Sequence, residues 1–249
     1  MKGIVLAGGT GSRLFPLTRV TNKHLLPVGR YPMIYHPIMR LKRAGCTEIA
    51  IVTSPEHMGD VVNLLGSGFR FGVDFTYRVQ DQPGGIAQAM GLCENFTGSD
   101  PFIVMLGDNI LATDFPEDVA EFISGFTTSG GKAHVLLKEV PDPERYGVPV
   151  LEDDAIVEVI EKPADPPSDY SVIGVYLFDR KVYDIIRTLE PSDRGELEIS
   201  DVISYYARAK SLSHGFIHGW WGDAGTLDGY QEANSLAKEL VYEEIPISE

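Results

Sequence analysis

A glycine-rich turn near the N-terminus contains the first residues whose types and spacing could do chemistry. Glycines let the backbone approach a ligand closely, and successive amide groups can form a concavity that holds phosphate oxygens. Two cations nearby would add the positive charge that phosphates need. The turn therefore predicts a phosphate site, although a turn without a ligand is the simpler alternative. Its residues are Leu6, Gly8, Gly9, Thr10, Gly11 and Ser12, and the cations are Arg13 and Lys23.

Two common phosphate-binding motifs do not fit this turn. The absence of a following Gly-Lys-Ser/Thr excludes a Walker A loop. A dinucleotide fingerprint would need a third glycine where Leu14 stands, and Pro16 interrupts the helix that should begin there. A dehydrogenase is therefore the least favoured enzyme class.

Polar residues follow an apolar run over residues 101–109, which ends in Asp108 and Asn109. Ligands of open α/β sheets bind beyond the carboxyl ends of the strands, so Asp108 is placed for catalysis. A helix or turn cap is the commoner role of a single aspartate there. The histidines do not resemble a metal cluster, and we assign them no chemistry.

The elements that must position these residues alternate between strand and helix in the first half of the chain. This order predicts an α/β fold with a doubly wound, mainly parallel (mixed) Rossmann-like sheet. Strand-rich segments at 133–140, 147–152, 155–163 and 170–179 then suggest antiparallel additions. The predicted strands before them cover 3–7, 48–54, 74–80 and 101–109, and one after them covers 211–219. The predicted helices cover 32–44, 57–65, 86–96, 196–210 and 226–242.

Composition narrows the class of protein. A chain of 249 residues with 43% hydrophobic and 23% charged residues is typical of one globular domain. It has no apolar run long enough to span a bilayer and no signal peptide, and Cys46 and Cys93 are expected to be buried, reduced thiols of a cytoplasmic protein. A formal charge of −15 without a basic cluster argues against nucleic acid. An anionic substrate would therefore need local cations, amides and a metal.

Motifs along nearly the whole chain closely resemble the sugar-1-phosphate nucleotidylyltransferases. They are LAGGTGSRLFPLT, NKHLLPVGRYPMIYHPI, RVQDQPGGIAQAM, VMLGDNI, ERYGVPV, VIEKP, YSVIGVYLFD and RGELEISDV, in the family's order. Among the family's branches they look most like the glucose-1-phosphate thymidylyltransferases. The resemblance implies a nucleotide-diphospho-sugar transferase fold, the substrates dTTP and glucose 1-phosphate, and the cofactor Mg²⁺.

The resemblance also implies roles for single residues. In the nucleotide half, about residues 1–126, the turn, Arg13 and Lys23 would hold the triphosphate, and Gln80 and Gly85 would read the base. Asp108 and Asp223 would bind the metal, although the sequence around Asp223 departs from the family pattern. In the sugar half, about residues 127–249, Lys162 and Arg194 would contact phosphate. The catalytic residues would be Arg13 and Lys23 of the nucleotide half and Lys162 of the sugar half. The remaining substrate-binding residues are Asn109, Gly147, Glu161, Val172 and Tyr176.

Several alternatives stay open at this level. The enzyme could use UTP or another nucleoside triphosphate instead of dTTP. Thymine differs from uracil by one methyl group, which is worth only about 1–3 kcal/mol in a hydrophobic pocket. Glu161 and Lys162 could be a solvated ion pair, and Gln80 a polar strand end. A glycosyltransferase and a non-catalytic nucleotide-sugar sensor are rival functions. The sequence does not decide whether the chain forms a homo-oligomer.

Overall fold

A computed structural model describes residues 1–111, 122–127, 130 and 132–245. The chain forms two compact units, each assembled from separate stretches. The first unit contains residues 1–83, 105–116 and 219–249, and the second contains 84–104 and 117–218. The sequence analysis divides a single domain into a nucleotide half and a sugar half by the substrate that each would bind. That division stays a prediction.

Helices and strands alternate in the first part of the described chain, as expected. The α-helices with both ends described, α1 to α7, are Tyr35–Arg43, Met58–Leu65, Ile86–Gly91, Glu94–Thr97, Val182–Ile186, Ile199–Arg208 and Leu227–Leu236. The strands β1 to β13 are Lys2–Ala7, Pro27–Val28, Tyr31–Pro32, Glu48–Thr53, Asp74–Val79, Phe102–Leu106, Asn109–Leu111, Ala133–Glu139, Gly147–Glu152, Ala155–Glu161, Tyr170–Phe178, Leu212–Phe216 and Trp221–Asp223.

In the first unit, β1, β4 and β5 lie side by side and parallel, with β4 in the middle. The apolar residues of β1 and β4 are buried, as expected for strands of a parallel sheet, whereas Val79 of β5 is exposed. The register aligns Ala7, Thr53 and Val79 at the carboxyl ends. The glycine-rich turn therefore begins at the edge of the sheet where α/β proteins bind ligands.

In the second unit, β8 lies between β11, which is antiparallel to it, and β12, which is parallel. The mixed α/β class is therefore confirmed. One pairing differs from the expected antiparallel additions to the sheet: strands β9 and β10 are antiparallel, but they pair with each other as a separate two-stranded sheet. The strand expected over 211–219 corresponds to β12, which runs parallel to β8.

Several predicted helices have different bounds in the structure. Helix α1 begins at Tyr35 because Tyr31–Pro32 pairs as β3 with β2. The helix expected over 86–96 is divided into α3 and α4. The helix expected over 196–210 begins only at Ile199, since Glu198 has an extended backbone with φ −77° and ψ 139°. Arg194 consequently lies in a loop. Helix α7 ends at Leu236 and a short 3₁₀ helix follows it.

Both cysteines are buried and neither forms a disulfide, which confirms that expectation. None of the helices among the described residues has the length and apolar character needed to cross a membrane.

Two glycines with positive φ allow backbone strain to be separated from steric overlap. Gly29 has φ +61°, and a Cβ there would overlap the carbonyl oxygen of Ala237. Gly45 has φ +83°, and its Cβ position has no atom within 4 Å. We expect Gly45→Ala to cost about 1–2 kcal/mol from backbone strain alone. Gly29→Ala should cost about 1–3 kcal/mol more, because it adds overpacking.

The measurement is the thermal unfolding midpoint of both variants and the wild type. Equal midpoints for the two variants would contradict the contact between Gly29 and Ala237.

Candidate active site

The glycine-rich turn lies against two of the predicted site residues in the first unit. Gly8 is buried, and a side chain there would overlap the amide oxygen of Gln80. The Cβ position of Gly9 is 3.5 Å from Nζ of Lys23. Gly11 has φ +67° and precedes a 3₁₀ helix over Ser12–Leu14. Gly8 therefore leaves room for the amide of Gln80, whereas a Cβ at Gly9 would make only an ordinary contact with Lys23.

Lys23 forms a buried ion pair with Asp108. Its Nζ lies 2.5 Å from Oδ2 of Asp108, and each residue is only 8% exposed. Asn22 caps the turn that presents Lys23, because its Oδ1 accepts a hydrogen bond from the backbone N–H of His24 at 2.8 Å. Its Nδ2 also donates to the carbonyl oxygen of Ala7 at 3.3 Å. The sequence analysis missed Asn22, which ties Lys23 to the end of β1.

A two-stranded ribbon brings the two predicted metal ligands together. Strands β7 and β13 are antiparallel, with Asp223 opposite Asn109, and the backbone N–H of Ala224 donates to the carbonyl oxygen of Asp108 at 2.9 Å. A Cβ on Gly225 would lie 2.9 Å from Oδ1 of Asp223 and 3.1 Å from Oδ2 of Asp108. Both carboxylates therefore face one point beside Gly225.

Arg13 reaches the same point. Its Nη2 lies 3.3 Å from the Cβ position of Gly225. The structure thus brings together, in one unit, the turn, Arg13, Lys23 and both aspartates, although they are widely separated in sequence.

The charges at this point shift the pKa values of the two carboxyl groups in opposite directions. Burial alone would raise the pKa of Asp108, but Lys23, His24 and hydrogen bonds hold it below its ordinary value. Burial and the negative charge of Asp108 raise the pKa of Asp223. Burial and the nearby Lys23 lower the pKa of His24 to about 3, so this histidine is neutral near pH 7.

The residues present fit a divalent metal that is completed by a substrate. No group of three or more His, Cys, Asp or Glu side chains that could hold a metal occurs among the described residues. Mg²⁺ is commonly held by one or two carboxylates together with substrate phosphates. The converging oxygens of Asp108 and Asp223 match that donor set.

In the second unit, Arg194 lies in a cluster of carboxylates. Its Nη2 is 2.7 Å from Oε2 of Glu198, 3.1 Å from Oε2 of Glu196 and 3.5 Å from Oε1 of Glu161. Its Nε donates to Oε1 of Glu198 at 3.0 Å. The predicted phosphate contact is thus paired with three acids here, and Glu196 and Glu198 were missed by the sequence analysis.

The buried Glu198 is the firmest of these partners. Burial by itself would raise its pKa, but hydrogen bonds from Arg194 and Ser192 hold the pKa below the ordinary value. Burial raises the pKa of Glu161, against the effect of Lys162. Glu198 is therefore the acid that holds Arg194 most strongly.

Glu161 and Lys162 end the β9–β10 hairpin. Lys162 Nζ lies 3.5 Å from Oε1 of Glu161, and the backbone of Lys162 has φ +46°. Gly147 is opposite Glu161 in the register, and its Cβ position is 3.5 Å from Oε2 of Glu161. The structure therefore brings Gly147, Glu161, Lys162 and Arg194 together.

The other predicted residues of this unit are in the interior. Val172 and Tyr176 are buried in β11. Gly85 has φ +95°, and a Cβ there would meet the backbone N of Leu197 at 2.9 Å. Packing against the Arg194–Glu198 segment thus requires a glycine at position 85 even without a ligand.

Comparison with known proteins defines the class. A model of the nucleotidyl transferase family matches residues 2–239, and the chain belongs to this family. It is therefore an enzyme of the nucleotidyltransferase class, as predicted. Enzymes of this family generally use a divalent metal ion.

Individual relatives narrow the similarity. Over 246 residues the chain is 40% identical to the glucose-1-phosphate thymidylyltransferase of Neisseria meningitidis, covering 96% of this chain and 83% of that protein. Over 241 residues it is 40% identical to the low-salt glycan biosynthesis nucleotidyltransferase of Haloferax volcanii, covering 96% of this chain and 66% of that protein. The resemblance to glucose-1-phosphate thymidylyltransferases is thereby confirmed.

A crystal structure shows the same fold at full length. It is a proposed glucose-1-phosphate thymidylyltransferase from Bacillus anthracis in complex with a sucrose, 54% identical, with a TM-score of 0.92 and coverage of 98% of both chains.

The opposite pKa shifts predict opposite effects on stability. Asp108, with its lowered pKa, contributes stability above its unfolded pKa of about 3.9, and this is lost as the pH falls below it. Asp223, with its raised pKa, contributes stability that is fully present below its unfolded pKa of about 3.9 and is lost as the pH rises through the raised pKa. At pH 7, Asp108→Asn should cost about 3–5 kcal/mol, because it breaks the buried ion pair with Lys23. Asp223→Asn should stabilise the protein.

The measurement is the unfolding midpoint in a chelator at pH 7. Both variants lose one predicted metal ligand and should lose most of their activity. The property expected to differ between them is their stability. Destabilisation by Asp223→Asn would contradict the repulsion inferred between the two carboxylates.

Proposed function

We propose that this chain transfers a thymidylyl group from dTTP to α-D-glucose 1-phosphate in a Mg²⁺-dependent reaction, giving dTDP-glucose and pyrophosphate. The observation that carries the proposal is the convergence of Arg13, Asp108 and Asp223 beside the glycine-rich turn and Lys23. The similarity to glucose-1-phosphate thymidylyltransferases over most of the chain supports the choice of substrates. The buried, unlinked cysteines support a cytoplasmic location.

The proposed reaction is a direct displacement. A phosphate oxygen of the sugar phosphate attacks the α-phosphorus of dTTP, the bond from that phosphorus to the bridging oxygen breaks, and pyrophosphate leaves from the opposite side. The attacking phosphate is already ionised at neutral pH, so no enzyme nucleophile or general base is required. The task of the protein is to position two polyanions, which can remove about 7–11 kcal/mol of barrier in favourable cases.

The first unit would hold the triphosphate. Amides of the turn would donate to phosphate oxygens, and Arg13 and Lys23 would offset negative charge that develops during the reaction. Asp108 and Asp223 would hold Mg²⁺, which when bound supplies charge neutralisation on phosphate oxygens. Gln80 lies beside Gly8, which suits an amide that pairs with the edge of a base.

The second unit would hold the sugar phosphate. Lys162 and Arg194 would contact its phosphate, and Glu161 would accept hydrogen bonds from sugar hydroxyls. A phosphate that reaches Arg194 would displace the more exposed Glu161 and Glu196 before the buried Glu198. Gly147, Val172 and Tyr176 would complete this site, and Gly85 would face the base.

The test is pyrophosphate release with dTTP, UTP, ATP, GTP or CTP, each crossed with glucose, galactose, mannose and N-acetylglucosamine 1-phosphates. We expect the highest kcat/KM for dTTP with glucose 1-phosphate, and no release without Mg²⁺. A higher kcat/KM for another pair would show that the enzyme uses those substrates instead. Transfer of sugar from a nucleotide sugar without pyrophosphate release would indicate a glycosyltransferase.

Two single substitutions test the assignment of the substrates to the units. Arg13→Ala should mainly raise the KM for dTTP, and Lys162→Ala mainly the KM for glucose 1-phosphate. Each loses a charge-assisted hydrogen bond worth about 1.5–3 kcal/mol, or roughly 10–100-fold. Steady-state kinetics with each substrate varied in turn measure both effects. If both variants impaired only dTTP binding, the assignment of Lys162 would be wrong.

A further inference from the structure

We propose that Trp221 is a positioning residue: its indole N–H orients the amide of Asn109, and that amide fixes the carboxylate of Asp108. The link to catalysis rests on the proposed function, whereas the chain of hydrogen bonds can be tested without it. The sequence analysis assigned no role to Trp221.

The chain of hydrogen bonds has one possible direction at its first link. Nε1 of Trp221 lies 2.8 Å from Oδ1 of Asn109. An indole N–H can only donate, so the oxygen of the Asn109 amide must face it. The amide nitrogen is then turned towards Asp108, where Nδ2 donates to Oδ1 at 3.3 Å.

The two oxygens of Asp108 therefore receive different donors. Oδ1 accepts from Asn109, and Oδ2 lies 2.5 Å from Nζ of Lys23. A carboxylate with a separate donor on each oxygen is restricted in rotation about its terminal torsion. This matters because Oδ2 is the oxygen that faces the point shared with Asp223 beside Gly225.

Loss of the indole N–H would remove a donor that holds the amide oxygen of Asn109. The amide would then be less restricted in rotation, and its donation to the carboxylate of Asp108 would weaken. Trp221→Phe removes the N–H but keeps an aromatic ring on β13. Trp220 is a matched control, since it is adjacent in sequence and packs against an apolar cluster, which includes Ile110 and Ala224.

The first experiment observes the indole groups directly. The chain has only two tryptophans, so a ¹⁵N–¹H spectrum should show two indole signals, which Trp220→Phe and Trp221→Phe assign. In the metal-free protein, Asn109→Ala should shift the Trp221 signal and speed its exchange with solvent, and leave the Trp220 signal in place. An unmoved Trp221 signal would overturn the proposal. If Asn109→Ala fails to fold, Asn109→Ser provides the same comparison.

The second experiment measures the consequence for the site. Trp221→Phe should weaken Mn²⁺ binding in the presence of dTTP, measured by electron paramagnetic resonance, and lower kcat by about tenfold, the equivalent of one hydrogen bond. Trp220→Phe should behave as wild type. Normal Mn²⁺ binding in Trp221→Phe would overturn the positioning role, whatever the KM for glucose 1-phosphate.

The outcomes separate this proposal from the proposed function. A wild-type protein that releases no pyrophosphate with any substrate pair would refute the function, and the indole spectra would still decide the hydrogen-bond chain. Normal wild-type activity with unchanged kcat in Trp221→Phe would refute only the positioning role.

Discussion

The buried ion pair between Lys23 and Asp108 is the interaction on which the arrangement of the first unit depends. A protein with a formal charge of −15 repels phosphates at long range, so cations must be fixed at the place where phosphates bind. Burying an unpaired ammonium group would be costly, and Asp108 provides the partner. The same aspartate lowers the charge of the site before a metal or substrate enters. The carboxylate of Asp108 therefore contributes both to the stability of the fold and to the charge of the site.

The second unit uses a related arrangement on its own cation. Arg194 is held by the buried Glu198 and by two more exposed acids. An arginine in such surroundings is oriented before any phosphate arrives, because its guanidinium already has partners in fixed directions. The segment that carries Glu198 also packs on Gly85. One short loop thus positions a cation and supports the backbone of another motif.

Much of this architecture could be predicted from the residues, for identifiable reasons. The strand that leads into the glycine-rich turn is marked by its apolar run, and Asp108 by its place after another. The resemblance to the nucleotidyltransferases then grouped residues that are far apart in the chain. Which of those residues bind substrate or metal stays a prediction.

Other features could not be read from local sequence. The 194–198 segment has the composition of a helix, yet ion pairing between Arg194 and Glu198 accompanies an extended backbone before Ile199. Strand β13 is three residues long and pairs with a strand more than a hundred residues earlier. Trp221 and Asn22 act through partners brought close only by folding, so no spacing rule could identify them.

The pairing of β7 with β13 has a consequence for how the protein is made. The first unit includes residues 1–83 but also residues 219–249. During synthesis on the ribosome, the glycine-rich turn and Lys23 emerge long before Asp223 and its strand. The second unit, whose residues lie between these stretches, is available to fold in that interval. The nascent chain must therefore keep its N-terminal part competent to accept β13 late in translation.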